Sequence, residues 1–366
     1  MPRVFPSSSK LRILIFNWRD LAHPQAGGAE VYTHRVAEEW LKMGHEVTLF
    51  CASIVGKPER ETVNGLRIIR RGSKYSVYRE AKKYYLKEAK GNFDLIIDEV
   101  NTRPFGVARW ATDVNVVALI HQVCKEIWFY QFPFPLALVG RYLLEPYWLS
   151  HLRDVPTITV SNSSKVSLET YGLRKIYVVP EGFNFERFRI KFEKESVPTL
   201  VFLGRLSANK RPADAIRAFQ HLQKSLPNAV LWVIGSGPEE KALRKTKLEG
   251  VFFLGSLSES EKFEKLSRAH ALIVTSVREG WGLVVTEAAA MGTPTIAYRI
   301  PGLIDSVEAS NGILSEPNPI DLSKLIKSYV SFWKENGNPE VRPSGVVKWE
   351  EVAKQILDVA IRELNP

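Results

Sequence analysis

Residues 271–291 read ALIVTSVREGWGLVVTEAAAM, and this stretch decides the fold. Ala271–Thr275 is a short apolar run of strand type, Arg278–Gly282 is a turn holding two glycines, and Gly282–Met291 is apolar over a helical length. A buried strand feeding a glycine turn that opens a helix is the repeating unit of a parallel sheet, whose strands need helical crossovers. Gly280 and Gly282 let the backbone approach a ligand closely, and N–H groups at the helix start suit a phosphate or sugar oxygen. Glu279 stands before the helix, and Glu287 lies eight positions on, about two helical turns. Two carboxylates so placed can hold hydroxyls at opposite ends of an extended ligand. A capped helix with one exposed acid fits the same spacing, so this segment needs support from elsewhere.

The same pattern extends in both directions. Upstream in the second half come strand Thr199–Leu203, helix Arg211–Leu226, strand Ala229–Ile234, helix Pro238–Leu248, strand Val251–Leu254 and helix Glu259–Arg268; Thr293–Ala297 follows as a strand. The first half alternates likewise: strand Leu11–Asn17, helix Ala29–Met43, strand Glu46–Cys51, helix Ser76–Lys90, strands Phe93–Asp98 and Asn115–Ile120, strand Pro156–Val160, helix Ser163–Tyr171, strand Lys175–Val179. A charged, aperiodic stretch, Phe185–Ser196, separates the halves as a linker. A last helix, Val347–Leu364, follows a Pro/Gly-rich break at Asn336–Gly345. The expected architecture is α/β, with two doubly wound sheets in series: a domain over 1–184, a second over 185–346, and a terminal helix over 347–366 packing on either. Ligands of such sheets bind at the carboxyl ends of the strands, so the cleft between the domains is where chemistry is expected.

Two more strand-end turns in the second half support the first. Gly204-Arg-Leu-Ser-Ala-Asn-Lys-Arg211 places a glycine and separated cations ahead of Pro212, a residue at home in a first helical turn. Arg205 suits a bidentate grip on phosphate oxygens, and Lys210 supplies a mobile point charge. Gly235-Ser-Gly-Pro238 is the third turn. Three such turns in one sheet point to one crevice, two of them suited to a diphosphate.

Composition narrows the classes. The 366 residues exceed one ordinary domain core. Cys51 and Cys124 are too few for a disulfide framework and sit in no metal-ligand spacing, so a reducing cytoplasm is expected. No leader-type segment opens the chain, and no uninterrupted apolar run reaches the roughly 18 residues of a membrane span. The formal charge of +10 admits nucleic acid, an anionic membrane surface or phosphate-bearing small molecules as partners. No basic stripe with interleaved stacking aromatics is present, which argues against nucleic acid.

On these motifs the chain resembles the large retaining GT-B glycosyltransferase family known as family 4, over nearly its whole length. The resemblance rests on Glu279 and Glu287 with seven residues between them, on Gly204-Arg205…Lys210, on the Gly-x-Gly-Pro turn, on Gly27-Gly28-Ala-Glu30 after the first strand, and on Val179-Pro-Glu-Gly182. At Glu181, asparagine is commoner in the family. The resemblance implies a GT-B fold and a nucleotide-sugar donor. Arg205 and Lys210 would hold the diphosphate, and Glu279 the sugar hydroxyls. Gly280, Trp281, Gly282 and Leu283 would cover the sugar and phosphate through their backbone amides, Glu287 would bind the ribose, and Gly27, Gly28, Gly204 and Gly235 would line the donor. His121 resembles the active-site histidine; Gln122 follows it where an acid is frequent. Catalytic parts thus fall to His121, Glu279, Arg205 and Lys210, with retention and no metal or other cofactor. No Asp-x-Asp motif or His/Cys cluster is present. Uridine and guanosine diphosphate donors both stay open, as does another enzyme of this fold, such as a sugar-nucleotide epimerase or a phosphorylase, and the oligomeric state.

One stretch stands outside that pattern. Ile127–Ser150 holds eight aromatics and only two charged residues, Arg141 and Glu145. Pro133, Pro135 and Pro146 interrupt it, so it is not a span. It reads in two ways: as a buried excursion or a dimer contact, or as an interfacial segment, with Trp128, Phe129, Tyr130, Phe132 and Phe134 toward an acceptor or a membrane, and with Lys82, Lys83 and Lys87 favouring an anionic leaflet. The second reading implies a lipid or lipid-linked glycan acceptor and a peripheral membrane location.

Overall fold

The computed structural model describes residues 10–184, 192–245, 248–337, 341 and 347–364. The chain divides into two compact units, the first made of Met1–Lys125, Leu138–Gly182 and Val347–Pro366, the second of Glu126–Ala137 and Phe183–Val346.

The first unit is built on eight strands: β1 (Arg12–Phe16), β2 (Glu46–Cys51), β3 (Arg60–Val63), β4 (Leu66–Arg70), β5 (Leu95–Glu99), β6 (Asn115–Leu119), β7 (Thr157–Thr159) and β8 (Ile176–Val178), in the order β3-β4-β2-β1-β5-β6-β7-β8. Every pairing is parallel except β3 with β4. Ile13, Leu14, Ile15 and Phe16 are all buried, as are Leu95, Ile96 and Ile97. Covered on both faces, such strands read as continuous apolar runs. The helices of this half of the chain are α1 (Gly28–Lys42), α2 (Val77–Tyr84), α3 (Trp128–Gln131), α4 (Phe134–Val139), α5 (Glu145–Ser150) and α6 (Asn162–Glu169). Of these, α3 and the start of α4 group with the second unit, so the division does not fall at one point in the sequence. The topological switch point of the first sheet, where strand order reverses, lies between β1 and β5.

The second unit is a six-stranded parallel sheet in the order β11-β10-β9-β12-β13-β14, from β9 (Thr199–Leu203), β10 (Val230–Ile234), β11 (Val251–Gly255), β12 (Ala271–Val274), β13 (Thr295–Tyr298) and β14 (Ile313–Ser315). Numbered from β9, this is the 3-2-1-4-5-6 order of a dinucleotide-binding sheet, with its switch point between β9 and β12. Its further helices are α7 (Pro212–Gln223), α8 (Glu240–Arg244), α9 (Glu259–Arg268), α10 (Leu283–Ala290), α11 (Leu303–Ala309) and α12 (Pro319–Asn336). Helix α9 starts on a capping box, Ser258 with Glu261.

The α/β class and the two doubly wound sheets match the expectation. Strands β3, β4 and β14 and helices α11 and α12 lie beyond the elements expected. The β3–β4 hairpin escapes because β3 is mostly exposed and reads RETV, with no apolar alternation. Helix α12 carries its own start signal: the Asn318 side chain accepts the Asp321 N–H at 2.9 Å, with Pro319 in the first turn. Of the expected linker, residues 185–191 lie outside the described residues. Beyond them Lys194 donates to the Ala269 carbonyl and the Thr293 hydroxyl, tying that stretch of chain to the second unit. Most of the 336–345 break is also outside the described residues.

The terminal helix, α13 (Trp349–Leu364), belongs to the first unit. It packs on α1, where the Trp40 indole N–H donates to the Ala353 carbonyl at 2.9 Å in the core. Trp349 lies edge-on to Tyr32 and against Gly182, where a Cβ would come within 2.7 Å of the indole. Trp349→Ala is expected to destabilise the protein by about 3–5 kcal/mol, read as a lower urea midpoint.

Candidate functional site

In the second unit the site residues gather on the two strands that flank the switch point. The loop after β9 carries Gly204, Arg205 and Lys210; the loop after β12 carries Ser276 and Glu279. The two loops are braced together: the Thr275 hydroxyl donates to the carbonyls of Lys210 (3.1 Å) and Arg211 (2.8 Å), and the Val277 N–H donates to the Asn209 carbonyl at 2.9 Å. Arg211 takes a left-handed conformation, φ 50°, just before Pro212 opens α7. The outcome is a direct ion pair between the Lys210 ammonium and the Glu279 carboxylate. Ser276 Oγ donates to the same oxygen at 2.6 Å. Glu279 is almost buried, and Arg205 reaches solvent with no carboxylate partner among the described residues. A diphosphate would meet one ammonium already held by Glu279 and one forked guanidinium here.

Close backbone approach accounts for two glycines. At Gly235, φ 123°, a Cβ would sit 2.0 Å from the Gly204 carbonyl oxygen, so the turns after β9 and β10 stack directly. At Gly302, φ 84°, a Cβ would sit 2.1 Å from the Glu279 carbonyl oxygen and 3.0 Å from that of Gly280. Sequence alone does not single out Gly302, because it lies in the β13–α11 turn, a strand away from the Glu279 loop it supports. Gly282, at φ 95°, precedes Leu283 at the start of α10. The Trp281 side chain is turned inward while its backbone stays in the loop: its indole N–H donates to Thr286 Oγ1 at 3.0 Å, in the interior. It therefore shapes the loop and offers no open ring face. Glu287 forms an ion pair with Lys262 at 2.6 Å, so the eight-residue spacing sends the two glutamates to different lysines.

The first unit holds a second charged cluster. His121 follows β6 and is nearly buried, with Nε2 3.7 Å from Glu99 Oε1 and Nδ1 3.5 Å from Glu181 Oε1. These contacts are longer than well-formed hydrogen bonds and act as ion pairs. Tyr32 faces the ring edge-on at 4.8 Å. Burial works against the charged ring, but the carboxylates of Glu181 and Glu99 outweigh it and raise the imidazole to about 9. Glu99 is fixed by the Thr33 hydroxyl at 2.5 Å. The acid missing after the histidine, at Gln122, is thus replaced by two acids far off in sequence. Gly27 and Gly28 stand at the start of α1, where the Gly27 N–H donates to Glu30 at 2.7 Å and Arg19 clasps the same carboxylate.

Glu145, one of two charges in the aromatic stretch, is a positioning residue that sequence does not reveal. Fully buried, it accepts the N–H groups of Cys124 (2.6 Å) and Lys125 (3.0 Å) and the Tyr171 hydroxyl (3.0 Å), pinning the loop that begins with His121. The flagged aromatics divide between two surroundings. Trp128 is buried with Phe132 against it at 5.0 Å, and their helix α3 packs against the Ala208–Lys210 turn of the second unit. Phe129, Tyr130 and Phe134 are exposed. In the first unit Leu138, Tyr142, Leu143 and Tyr147 make an exposed apolar run from the end of α4 into α5. Glu126 pairs with Arg278 at 2.9 Å beside the Glu279 loop.

These loops define a doubly wound α/β protein with cations and helix starts at its switch points. Residues 26–187 match the family model described as Glycosyltransferase Family 4, and residues 184–338 the model described as Glycosyl transferases group 1. Together the matches run through most of the chain, and the chain belongs to this family of GT-B, group 1 glycosyltransferases. One relative, a component of the phosphatidylinositol N-acetylglucosaminyltransferase of Arabidopsis thaliana, is 23% identical over 381 residues, covering 97% of this chain and 83% of that protein. A glycogen synthase of Mycobacterium tuberculosis is 31% identical over 157 residues, a stretch that is 41% of this chain and only 38% of the synthase. Among solved structures, sucrose-phosphate synthase of Thermosynechococcus elongatus superposes with a TM-score of 0.74 at 19% identity, covering 97% of this chain and 99% of that one. At that identity the likeness is one of fold.

Gly302→Ala should push on the Glu279 carbonyl, lowering stability by about 1–3 kcal/mol and weakening nucleotide binding in a thermal-shift titration. His121, raised above the ordinary imidazole value of 6.5 to about 9, adds stability that is fully present below pH 6.5 and is lost as pH rises through 9. Glu181→Gln should move that loss to lower pH, and the NMR titration of the His121 Cε1 proton should move with it. Tyr32 and Glu99 also face this ring, and Tyr32 stays neutral because burial, Glu181 and Glu99 all raise it.

Proposed function

We propose that this chain moves a hexose from a UDP- or GDP-sugar to an acceptor hydroxyl, with retention of configuration and without a divalent metal. The Lys210–Glu279 pair at the β9/β12 switch point carries this reading. As the sugar–phosphate bond breaks, positive charge grows on the sugar carbon and negative charge on the departing diphosphate. Fixed cations and amide dipoles at the diphosphate stabilise that separation most directly. Arg205 and Lys210 supply the cations, and the Gly280–Leu283 backbone opening α10 supplies N–H groups. Glu279, oriented by Lys210 and Ser276, accepts hydrogen bonds from sugar hydroxyls, and Glu287 from the ribose. His121, held as an imidazolium by Glu99 and Glu181, is a donor to a substrate oxygen and not a base. The acceptor's proton then passes to the leaving phosphate oxygen on the same face, so no second carboxylate pair of glycosidase type is required.

Lys210→Ala is expected to weaken donor binding and slow transfer by about 10²–10³-fold, and Glu279→Ala to lose most transfer, with circular dichroism unchanged in both. Turnover close to wild type in both variants defeats the reading. Activity should persist in excess EDTA; its loss, restored by one divalent ion, removes the metal-free part.

The acceptor in this reading is a lipid or lipid-linked glycan, met by a protein bound peripherally at the membrane. The exposed Leu138, Tyr142, Leu143 and Tyr147 support it, since large contiguous apolar surface on a folded chain marks a contact. Among the described residues no helix is long and apolar enough to cross a membrane. Co-sedimentation with anionic vesicles should occur at low salt and weaken in Tyr142→Ser/Leu143→Ser. A stable dimer by light scattering, with no vesicle binding, assigns this surface to a second copy instead.

A further inference from the structure

The first unit has its own switch point, between β1 and β5, and the turns there bring together cations and flat rings that the donor reading leaves unused. Trp18 and Arg19 follow β1, Lys74 and Tyr75 follow β4, Arg103 follows β5, and Tyr78 rises from α2. The contacts knit them into two groups, one around Trp18 and one around Tyr78. Arg19 lies over the Trp18 ring at 4.5 Å, Lys74 over Trp18 and over Tyr75 at 5.7 Å each, and Arg103 over Tyr78 at 4.6 Å. Arg103 also reaches the Trp148 ring, at 5.9 Å. Arg19 and Arg103 both bear on the Tyr78 phenol, which joins the β1 side of the patch to the β5 side.

Lys74 and Arg103 differ from several arginines of the same unit. Arg12, Arg70 and Arg71 are neutralised by carboxylates at 2.8 Å or less. Arg19 is committed to Glu30 at 2.8 Å. Lys74 and Arg103 have no carboxylate within 4.0 Å among the described residues, and their nearest partners are aromatic faces. Beneath them, Asn17 is wholly buried, and its Nδ2 has no hydrogen-bond partner among the described residues, although its Oδ1 accepts from Asn101 and from the Arg19 N–H. A buried amide hydrogen left unpaired costs stability unless a ligand or water takes it. The chemistry is specific in kind. Uncommitted cations suit phosphate oxygens. The half-buried Trp18 and the exposed Tyr75 offer flat rings that suit the apolar face of a sugar.

We propose that this patch binds a phosphorylated sugar, so that the acceptor is a glycan carrying a phosphate or phosphodiester close to the hydroxyl that is glycosylated. The proposal deepens the transferase reading and rests on it, because it names the acceptor's class. The phosphate has two sources, a soluble glycosyl phosphate or the headgroup of a glycosylatable phospholipid, and both present the same anion beside the same ring.

The donor loops would also bind phosphate, so the test is run in an Arg205→Ala/Lys210→Ala background. Glucose 1-phosphate and glucose are titrated by calorimetry, and phosphatidylcholine vesicles with and without phosphatidylinositol by co-sedimentation. Glucose 1-phosphate, or the phosphatidylinositol vesicles, should bind in that background, and glucose alone should not saturate. Adding Lys74→Gln and Arg103→Gln should weaken the binding at least tenfold while the melting temperature holds. Dependence in the soluble arm assigns a free glycosyl phosphate, and dependence in the vesicle arm alone assigns a headgroup. Binding in neither arm, or binding indifferent to Lys74 and Arg103, overturns the proposal. The donor reading is judged apart, on whether the parent double substitution removes UDP and GDP binding.

Discussion

A charge drawn out of water must be paired or must give itself up, and the working parts of this protein are arranged by that rule. Glu279 is nearly buried and stays useful because Lys210 and Ser276 converge on one of its oxygens. His121 is nearly buried and stays cationic because Glu99 and Glu181 stand on either side. Glu145 is fully buried and accepts three hydrogen bonds. Each pairing fixes a loop as well as a charge. The loop after β12 cannot move without breaking the Lys210 contact, and the loop after β6 cannot move without freeing Glu145.

The pairings are reached by backbone contact that only glycine allows. Gly235 lets the turn after β10 rest on the Gly204 carbonyl, and Gly302 lets the turn after β13 rest on the Glu279 carbonyl. Cross-loop hydrogen bonds from Thr275 and Val277 finish the frame. Orientation of the charged groups is therefore a property of the main chain, set before any substrate binds. Preorganisation of this kind is what electrostatic stabilisation of a leaving group requires.

Much of this is legible in the amino-acid sequence, and what is not shares one cause. Strand-turn-helix units show locally, because apolar runs and turn glycines are neighbours in the chain; β9, β12 and α10 are read that way. The loops that bear Lys210 and Glu279 are read from the same signals. Partners that meet only through the fold leave no local mark. Glu99 and Glu181 are 22 and 60 residues from His121, and Gly302 is 23 from Glu279. The reading of 280–283 concerns the backbone alone and says nothing of the Trp281 ring, which a hydrogen bond to Thr286, little more than one helical turn ahead, holds inside. The β3 strand lacks the apolar alternation that would disclose it, its pairing with β4 being along an exposed edge.

The formal charge of +10 is a poor guide by itself, since most of the arginines in the first unit are bound up in ion pairs. What matters is where the uncommitted cations lie. Of those without a carboxylate partner among the described residues, three stand at carboxyl ends of parallel strands: Arg205 follows β9, Lys74 follows β4 and Arg103 follows β5. In a parallel sheet every crossover helix begins near that edge, so helix N-termini add their partial positive charge to the same side. A cation placed there is repelled by the helix starts and gains nothing from them. Its retention without a carboxylate argues that an anion from outside the chain is the partner it is built to meet, once in each unit.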